Sequence, residues 1–341
     1  MDAKYLVRDD AEKWSNPELA DVFEMGLPIS FEEWLDEPGT NEEKRAKYSM
    51  PLEETHNERT ETYEVPGCPE EPDAPAVRIL VTYPANRKRK MPCVIGIAGG
   101  GLILSFAAIM APEKLADDLG AIVVSFNYRC LFDDSKYPEA LNDCHAVYKY
   151  VLDHAKDLGI DEKRVVLYGV SSGGQLALTL CHRLKRYNYH PRGCIAVGPV
   201  ADNRLIYPSS VRSGNTWNSQ ALYRTGKDWL GDKGNDAFMS PEAFPNHATV
   251  AECEGLAPTV IYTYETDVCL DPSLMYASKL VQAGVFTQLY LFGGQNHICN
   301  CNAYLNTPDS EQAEEYRDML KRDFDTLVNN DLRRLWQQEE G

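Results

Sequence analysis

No stretch of this sequence approaches the run of about 18 or more apolar residues that crosses a bilayer, so no membrane span is expected. The first residues, MDAKYLVRDDAEKW, mix both charges and lack the apolar core of a signal peptide, which points to a cytoplasmic protein. Basic residues are scarce. The 34 Lys and Arg against 52 Asp and Glu leave a formal net charge of −18, which argues against nucleic acid and anionic membrane surfaces as partners. A small neutral substrate is untouched by that charge. Clustered cysteine is missing too. The ten cysteines are scattered singly, several within apolar runs such as MPCVIGI and GCIAVG, and read as buried thiols rather than a disulfide framework. CNC at 299–301 is the one close pair, and no second Cys/His cluster stands at zinc spacing, so no metal site is expected. Internal repeats and low-complexity tracts are absent.

What is present is the material of one large α/β domain with a smaller accessory piece: 341 residues, 43% apolar and 25% charged. From about residue 76, short β-branched or aromatic runs alternate with helical patterns. AVRILVTYP, MPCVIGIA, AIVVSFNY, RVVLYG, GCIAVGP, PTVIYTYE and TQLYLF read as strands, bounded by Gly, Pro or charge. Over 138–155 the apolar residues Ala140, Leu141, Cys144, Val147, Tyr148, Val151, Leu152 and Ala155 recur at helical spacing, opened by Pro138 and followed by Gly159. A charged helix is expected over about 309–336. Near-continuous apolar strands between amphipathic helices imply a mostly parallel central sheet flanked by helices on both faces. Two regions break the alternation. Residues 1–75 are acidic, with short helical stretches, and are expected to form an N-terminal cap region over an α/β domain of residues 76–341. Within it, 201–256 is a long insertion bearing Tyr207, Trp217, Tyr223, Trp229 and Phe238, expected to contribute to the cap and pocket.

The segment YGVSSGGQLA, 168–177, fits G-x-S-x-G with Ser171 at the centre. A strand precedes it and a helix follows, the context of an elbow that holds a serine hydroxyl out above a sheet. Ser172 comes next, and its backbone N–H is expected to serve as an oxyanion donor. A serine needs a base, and the base needs an orienting carboxylate, in the chain order Ser, Asp/Glu, His. Of the two histidines that lie more than a few residues beyond the helix after Ser172, His247 lies in the insertion with no strand before it. His297 follows TQLYLFGGQN, a strand ending in a Gly-Gly loop, and is the better base. Glu265, Asp267 and Asp271 all stand near the end of the preceding strand; Asp267, in the loop just past it, is the chosen acid. Gly99-Gly100-Gly101 ends another strand, and the amides of Gly99 and Gly100 complete the oxyanion set. No Lys-Ser/Thr follows these glycines and the tail of GxGxxG is absent, so neither a phosphate cradle nor a dinucleotide site is supported.

With these residues in order, the chain resembles the hormone-sensitive-lipase-like branch of the α/β-hydrolases (fold-3) over roughly 76–325. The likeness rests on AGGG (98–101), FNYRCLFDDSKYPEALNDCHAVYKYV (126–151), DEKRVVLYGVSSGGQLAL (161–178), LAPTVIYTYETDVCLDPSLMYASKLVQAGV (256–285) and GGQNH (293–297). It implies an α/β-hydrolase fold with an N-terminal helical cap, no cofactor, and a carboxylesterase acting on short-acyl esters. It matches Ser171, Asp267 and His297 to the triad, and Gly99, Gly100 and Ser172 to the oxyanion hole. Three departures stand out: Ala98 replaces the usual His before the glycines, Val170 replaces an acid before Ser171, and Gln295-Asn296 precede His297 where an apolar residue is usual. Room left beside Gly101, with Tyr207, Trp217 and Tyr223, suggests substrate contacts for a bulky alcohol portion. The expected partner is a small-molecule ester, and a homodimer stays open. An amidase, formamidase or acyltransferase would use the same triad. A non-catalytic small-molecule receptor on this scaffold would typically have lost a triad member, and here all three positions are filled.

Overall fold

The computed structural model of the chain describes residues 38–41, 43–44, 58–105, 107–204, 206–212, 219–233 and 239–332. Its centre is an eight-stranded sheet of β1 (Thr60–Val65), β2 (Val77–Thr82), β3 (Met91–Ile97), β4 (Ile122–Phe126), β5 (Ile160–Val170), β6 (Gly193–Val197), β7 (Thr259–Tyr264) and β8 (Thr287–Phe292). The spatial order is β1-β2-β4-β3-β5-β6-β7-β8; β1 and β2 pair antiparallel, β2 meets β4 antiparallel, and all later pairs are parallel. The seven strands read from sequence all form. Central strands such as IVVSF of β4 and TVIYTY of β7 are buried at every position, as expected where helices cover both faces of a parallel sheet.

The helices that matter for the site are α1 (Pro112–Leu119), α2 (Glu139–Asp153), α3 (Ser172–Arg186), α4 (Ser219–Leu230), α5 (Leu270–Gln282), α6 (Cys299–Asn306) and α7 (Glu311–Asn329). Helix α2 buries Ala140, Leu141, Cys144, Val147 and Val151 in the core on one side of the sheet. On the other side α7, whose N-cap Ser310 accepts from the Ala313 amide, buries Tyr316, Leu320 and Phe324 in a second core. All ten cysteines are buried and none is in a disulfide. No helix among the described residues is long and apolar enough to cross a membrane.

One boundary needs correction. The segment TETYEV of β1 lies within the acidic region assigned to the cap, yet it is the sheet's first edge strand. Its acids are outward: Glu64 pairs with Arg78, and Glu61 accepts from the hydroxyls of Tyr63 and Tyr83. Half of such a strand faces water, so it shows no apolar run. Most of the N-terminal segment, including Leu19, Val22, Phe23, Leu27, Phe31, Trp34 and Leu35, lies outside the described residues.

Helices α3 and α5 are joined by a buried hydrogen bond of 2.9 Å between His182 Nε2 and the Tyr276 hydroxyl. Burial, with Lys185 nearby and only partly offset by Glu252, lowers His182 from 6.5 to about 4. The unfolded chain therefore takes up a proton that folded His182 refuses between these values. Stability should fall as pH drops through that window, by roughly 3 kcal/mol from this residue, and the contribution should level off below it. Urea unfolding from pH 7 to pH 4 checks this, with His182→Gln expected to flatten the slope. Identical slopes for the two proteins would count against the assignment.

Candidate active site

In-register parallel pairing brings several strand ends to one edge of the sheet. Ile97 stands beside Gly169, Val170 beside Val197, and Tyr264 beside Phe292. The residues just beyond these ends, Gly99–Gly101, Ser171, Gly198, Asp267 and His297, therefore converge, as ligand-facing loops do in open α/β sheets.

Ser171 sits at the turn from β5 to α3 with φ 57° and ψ −122°, a conformation that costs a non-glycine residue energy and persists only when its surroundings fix it. Those surroundings are close. A Cβ on Gly169 would lie 2.1 Å from the Gly173 carbonyl oxygen, and one on Gly173 would lie 2.1 Å from that of Ile97. Only hydrogens fit at both flanks of the serine, so α3 can start directly against the sheet. The Ser171 amide donates to the Val197 carbonyl at 2.7 Å, and Gln175 N–H returns to the Ser171 carbonyl. The positive end of the fifteen-residue helix α3 thus begins next to the serine hydroxyl.

The hydroxyl lies 2.9 Å from His297 Nε2, and His297 Nδ1 lies 2.7 Å from Asp267 Oδ2. All three residues are buried. Asp267 is held on its other oxygen by the Cys269 amide, at 3.0 Å, and its loop is tied to that of His297 by the Thr266 amide on the Gln295 carbonyl. The imidazole has room because residue 198 is glycine: a Cβ there would come within 3.2 Å of His297 Cε1. Of the other acids considered, Glu265 accepts the Gly294 amide, and Asp271 accepts the Ser209 amide at 2.6 Å, fastening the insertion to α5.

The glycine loop packs onto the same serine, with a Cβ on Gly99 placed 3.1 Å from Ser171 Cβ. Its support comes from a residue to which the sequence reading gave no role. Tyr128, fully buried, donates its hydroxyl to the Ala98 carbonyl at 3.0 Å and lies 3.4 Å from Ser172 Oγ. Burial pushes its phenol far above the usual range, so it stays a neutral donor. The amides of Leu131 and Phe132 hold the carbonyls of Leu102 and Ile103 from behind. The loop is thus braced without a histidine at position 98. Tyr128 stands in FNYRC, and the hint was an aromatic alcohol just past the end of β4; nothing in its spacing said which carbonyl it would reach.

The insertion reaches the recess, but through residues other than Tyr207 and Tyr223. Along α4 the inward positions are Leu222, Thr225, Gly226 and Trp229, whereas Tyr223 is exposed on the opposite face. Tyr207 is buried away from the recess, its hydroxyl donating to Asp202 at 2.6 Å and accepting from Asn246 at 2.8 Å. Asp202 is strongly desolvated, yet the hydrogen bonds from Arg204 and Tyr207 keep its carboxyl below the usual value. Trp217 lies outside the described residues. A narrow recess, with about 10 Å³ of free space or room for one water-sized group, is lined by Gly101, Leu102, Ser172, Leu222, Thr225 and Phe244 among others.

Two groups of side chains among the described residues are close enough to share an ion. In Asp267, Cys269 and His297 both imidazole nitrogens already have partners. In Cys68, Glu70 and His145 the carboxylate is paired with Arg183 at 3.0 Å and with His145 Nδ1 at 2.8 Å. Neither group includes the Cys299 and Cys301 pair.

Residues 94–300 match a protein family described by its alpha/beta hydrolase fold. The chain belongs to this α/β-hydrolase family, in its hormone-sensitive-lipase-like branch. It is 30% identical over 191 residues to an ethyl acetate hydrolase of Pseudomonas putida, covering 54% of this chain and 58% of that protein. It is 29% identical over 131 residues to the hormone-sensitive lipase of Ictidomys tridecemlineatus, covering 38% of this chain and 17% of the lipase. The chain therefore spans less than two thirds of the length of these curated relatives. Its fold matches a bacterial heroin esterase with a TM-score of 0.77 and 25% identity, over 93% of this chain and 99% of that one.

Proposed function

We propose that the protein is a serine carboxylic-ester hydrolase that acts on short-acyl esters through an acyl-enzyme. Ser171 is the nucleophile, His297 the general base and then acid, and Asp267 the carboxylate that orients the imidazole and stabilises its charged form. The observation that carries this reading is the continuous hydrogen-bonded chain from Ser171 Oγ through His297 to Asp267, closed off from bulk water.

In the first half-reaction Ser171 Oγ attacks the ester carbonyl carbon while His297 Nε2 takes the hydroxyl proton. The amides of Gly99, Gly100 and Ser172 are assigned to the oxyanion that develops, aided by the start of α3. Collapse of the tetrahedral intermediate breaks the bond to the alcohol oxygen, which leaves with the proton from His297. Water then attacks the acyl-enzyme, gives its proton to His297, and the carboxylic acid leaves as Ser171 regains its own. The parts of 1–75 outside β1, together with 201–256, are assigned to the cap. Asn41, which donates to the Leu131 carbonyl at 3.2 Å and to Asp134 at 2.6 Å, lies against the segment that supports the glycine loop.

A fluorophosphonate probe should add once to the wild-type protein by intact mass and not at all to Ser171→Ala. Across p-nitrophenyl esters from acetate to palmitate, kcat/KM should peak at short chains and be weak beyond about eight acyl carbons, given the small recess. A maximum at laurate or longer would defeat the short-acyl assignment.

A further inference from the structure

The recess beside the glycine loop holds buried polar atoms that the fold leaves without partners. Among the described residues, Asn203 has no hydrogen-bond partner for Nδ2 or Oδ1, Thr225 has none for Oγ1, and Gln175 has none for Oε1. All three residues are at least 98% buried and all three line this recess. Buried polar groups are satisfied in the great majority of cases, so three orphans facing one cavity need a reason. Gln175 is not misplaced: its Nε2 donates to the Ala243 carbonyl at 2.7 Å, which fixes the amide and points the carbonyl oxygen away from that bond.

The helix opposite is shaped to this amide. Gly226 lies in the interior of α4, where glycine weakens a helix, and a Cβ there would sit 2.2 Å from Asn203 Nδ2. Any larger residue would drive the Asn203 side chain out of place. The recess is therefore built around a carboxamide that bonds nothing among the described residues, within a wall shared with Ser172 and Gly101. None of the residues that line it is charged.

We propose that this recess is a polar subsite that receives an uncharged hydrogen-bonding group of the substrate, a hydroxyl or a carboxamide, with Asn203 and Thr225 as its specificity-determining residues. Asn203 offers a donor and an acceptor, Thr225 a hydroxyl able to act as either, and Gln175 an acceptor. A hydroxyl or carboxamide satisfies this set, because each both donates and accepts. A carboxylate would meet the Gln175 and Asn203 oxygens with no donor of its own, and an ammonium would find no countercharge. A plain alkyl group would leave every orphan unpaired. The proposal rests on the esterase reading and deepens it, by replacing a purely apolar specificity with a polar one.

Matched ester pairs test it. In one pair the polar group is in the acyl part, p-nitrophenyl glycolate against p-nitrophenyl propionate. In the other it is in the alcohol part, 4-acetamidophenyl acetate against 4-propylphenyl acetate. Each kcat/KM is divided by the rate of hydrolysis by hydroxide. The wild type should favour the polar member of one pair by about tenfold or more, and that pair tells which part of the ester enters the recess. Asn203→Leu and Thr225→Val should each bring the ratio toward one. Thr225→Val should also raise Tm by about 2 °C, because an unpaired buried hydroxyl is replaced by a methyl of the same size. No polar preference in either pair, a ratio that survives both substitutions, or a lower Tm for Thr225→Val would each overturn the subsite. If no ester is turned over and no serine adduct forms, the esterase reading itself fails, and the Tm of Thr225→Val still decides whether that hydroxyl is unpaired.

Discussion

Ser171→Ala is expected to lower kcat for p-nitrophenyl acetate by about 10⁴–10⁶-fold, while Ser172→Ala stays within about tenfold of wild type. The two serines are adjacent, yet their surroundings assign them different work. Ser171 carries the strained backbone and points its hydroxyl at His297 Nε2, 2.9 Å away. Ser172 opens α3, and its hydroxyl has only a long contact, 3.4 Å, with Tyr128. Alanine at 172 keeps the backbone N–H assigned to the oxyanion, so what is lost is that contact and part of the recess wall. Without the Ser171 oxygen, no acyl-enzyme forms, and the residual rate comes from oxyanion stabilisation and binding alone. Steady-state kinetics with active-site titration measures both. Equal losses for the two variants would mean that the nucleophile has been misassigned.

The second large effect concerns the acid. Asp267→Asn should cost on the order of 10⁴ in kcat at neutral pH, because an amide neither balances the imidazolium charge nor enforces the tautomer with its proton on Nδ1. Asp271→Asn should keep activity within about tenfold and lower stability by about 1 kcal/mol. The difference follows from geometry: Asp267 is 2.7 Å from His297, whereas Asp271 holds the Ser209 amide and so the start of the insertion. Comparing kcat with thermal unfolding for both variants separates the roles. An inactive Asp271→Asn beside an active Asp267→Asn would reverse the assignment.

How much of this was readable beforehand varied with the physics behind each part. Strands buried on both faces, such as β4 and β7, announce themselves because they must be apolar throughout, and the edge strand β8 does so through its apolar run TQLYLF although it is only partly buried. The first strand does not, because TETYEV is an edge whose glutamates face water and meet Arg78 and Arg87. That Ser171 and His297 would lie close together was legible from chain order, since each follows a strand and a nearby glycine. The choice among Glu265, Asp267 and Asp271 depended on how the loop turns, which spacing alone does not fix. Tyr207 and Tyr223 stand elsewhere than expected. Tyr207 is used for an internal network with Asp202 and Asn246, and the helical phase of α4 turns Tyr223 outward while bringing Thr225 and Gly226 in. Hydrophobic bulk in a sequence says that a surface will be covered, not whether a ligand or the protein itself will cover it. Asn203 gave no signal at all, because a single asparagine after a strand is ordinary until the helix opposite it is known.

The contact between Ser171 and His297 joins positions 126 apart in the chain. Every parallel strand pair from β5 to β8 must be in register before those two atoms can meet, and parallel pairing over long separations is slow to form. On the proposed triad, a nascent chain would stay inert while Ser171, its elbow and the glycine loop are already synthesised, because His297 is on the far side of three further strands, β6, β7 and β8. If the proposed triad is right, turnover is expected to begin only with closure of the last pair. Recovery of activity during refolding therefore times completion of the sheet, whereas far-ultraviolet circular dichroism would respond earlier, to the helices.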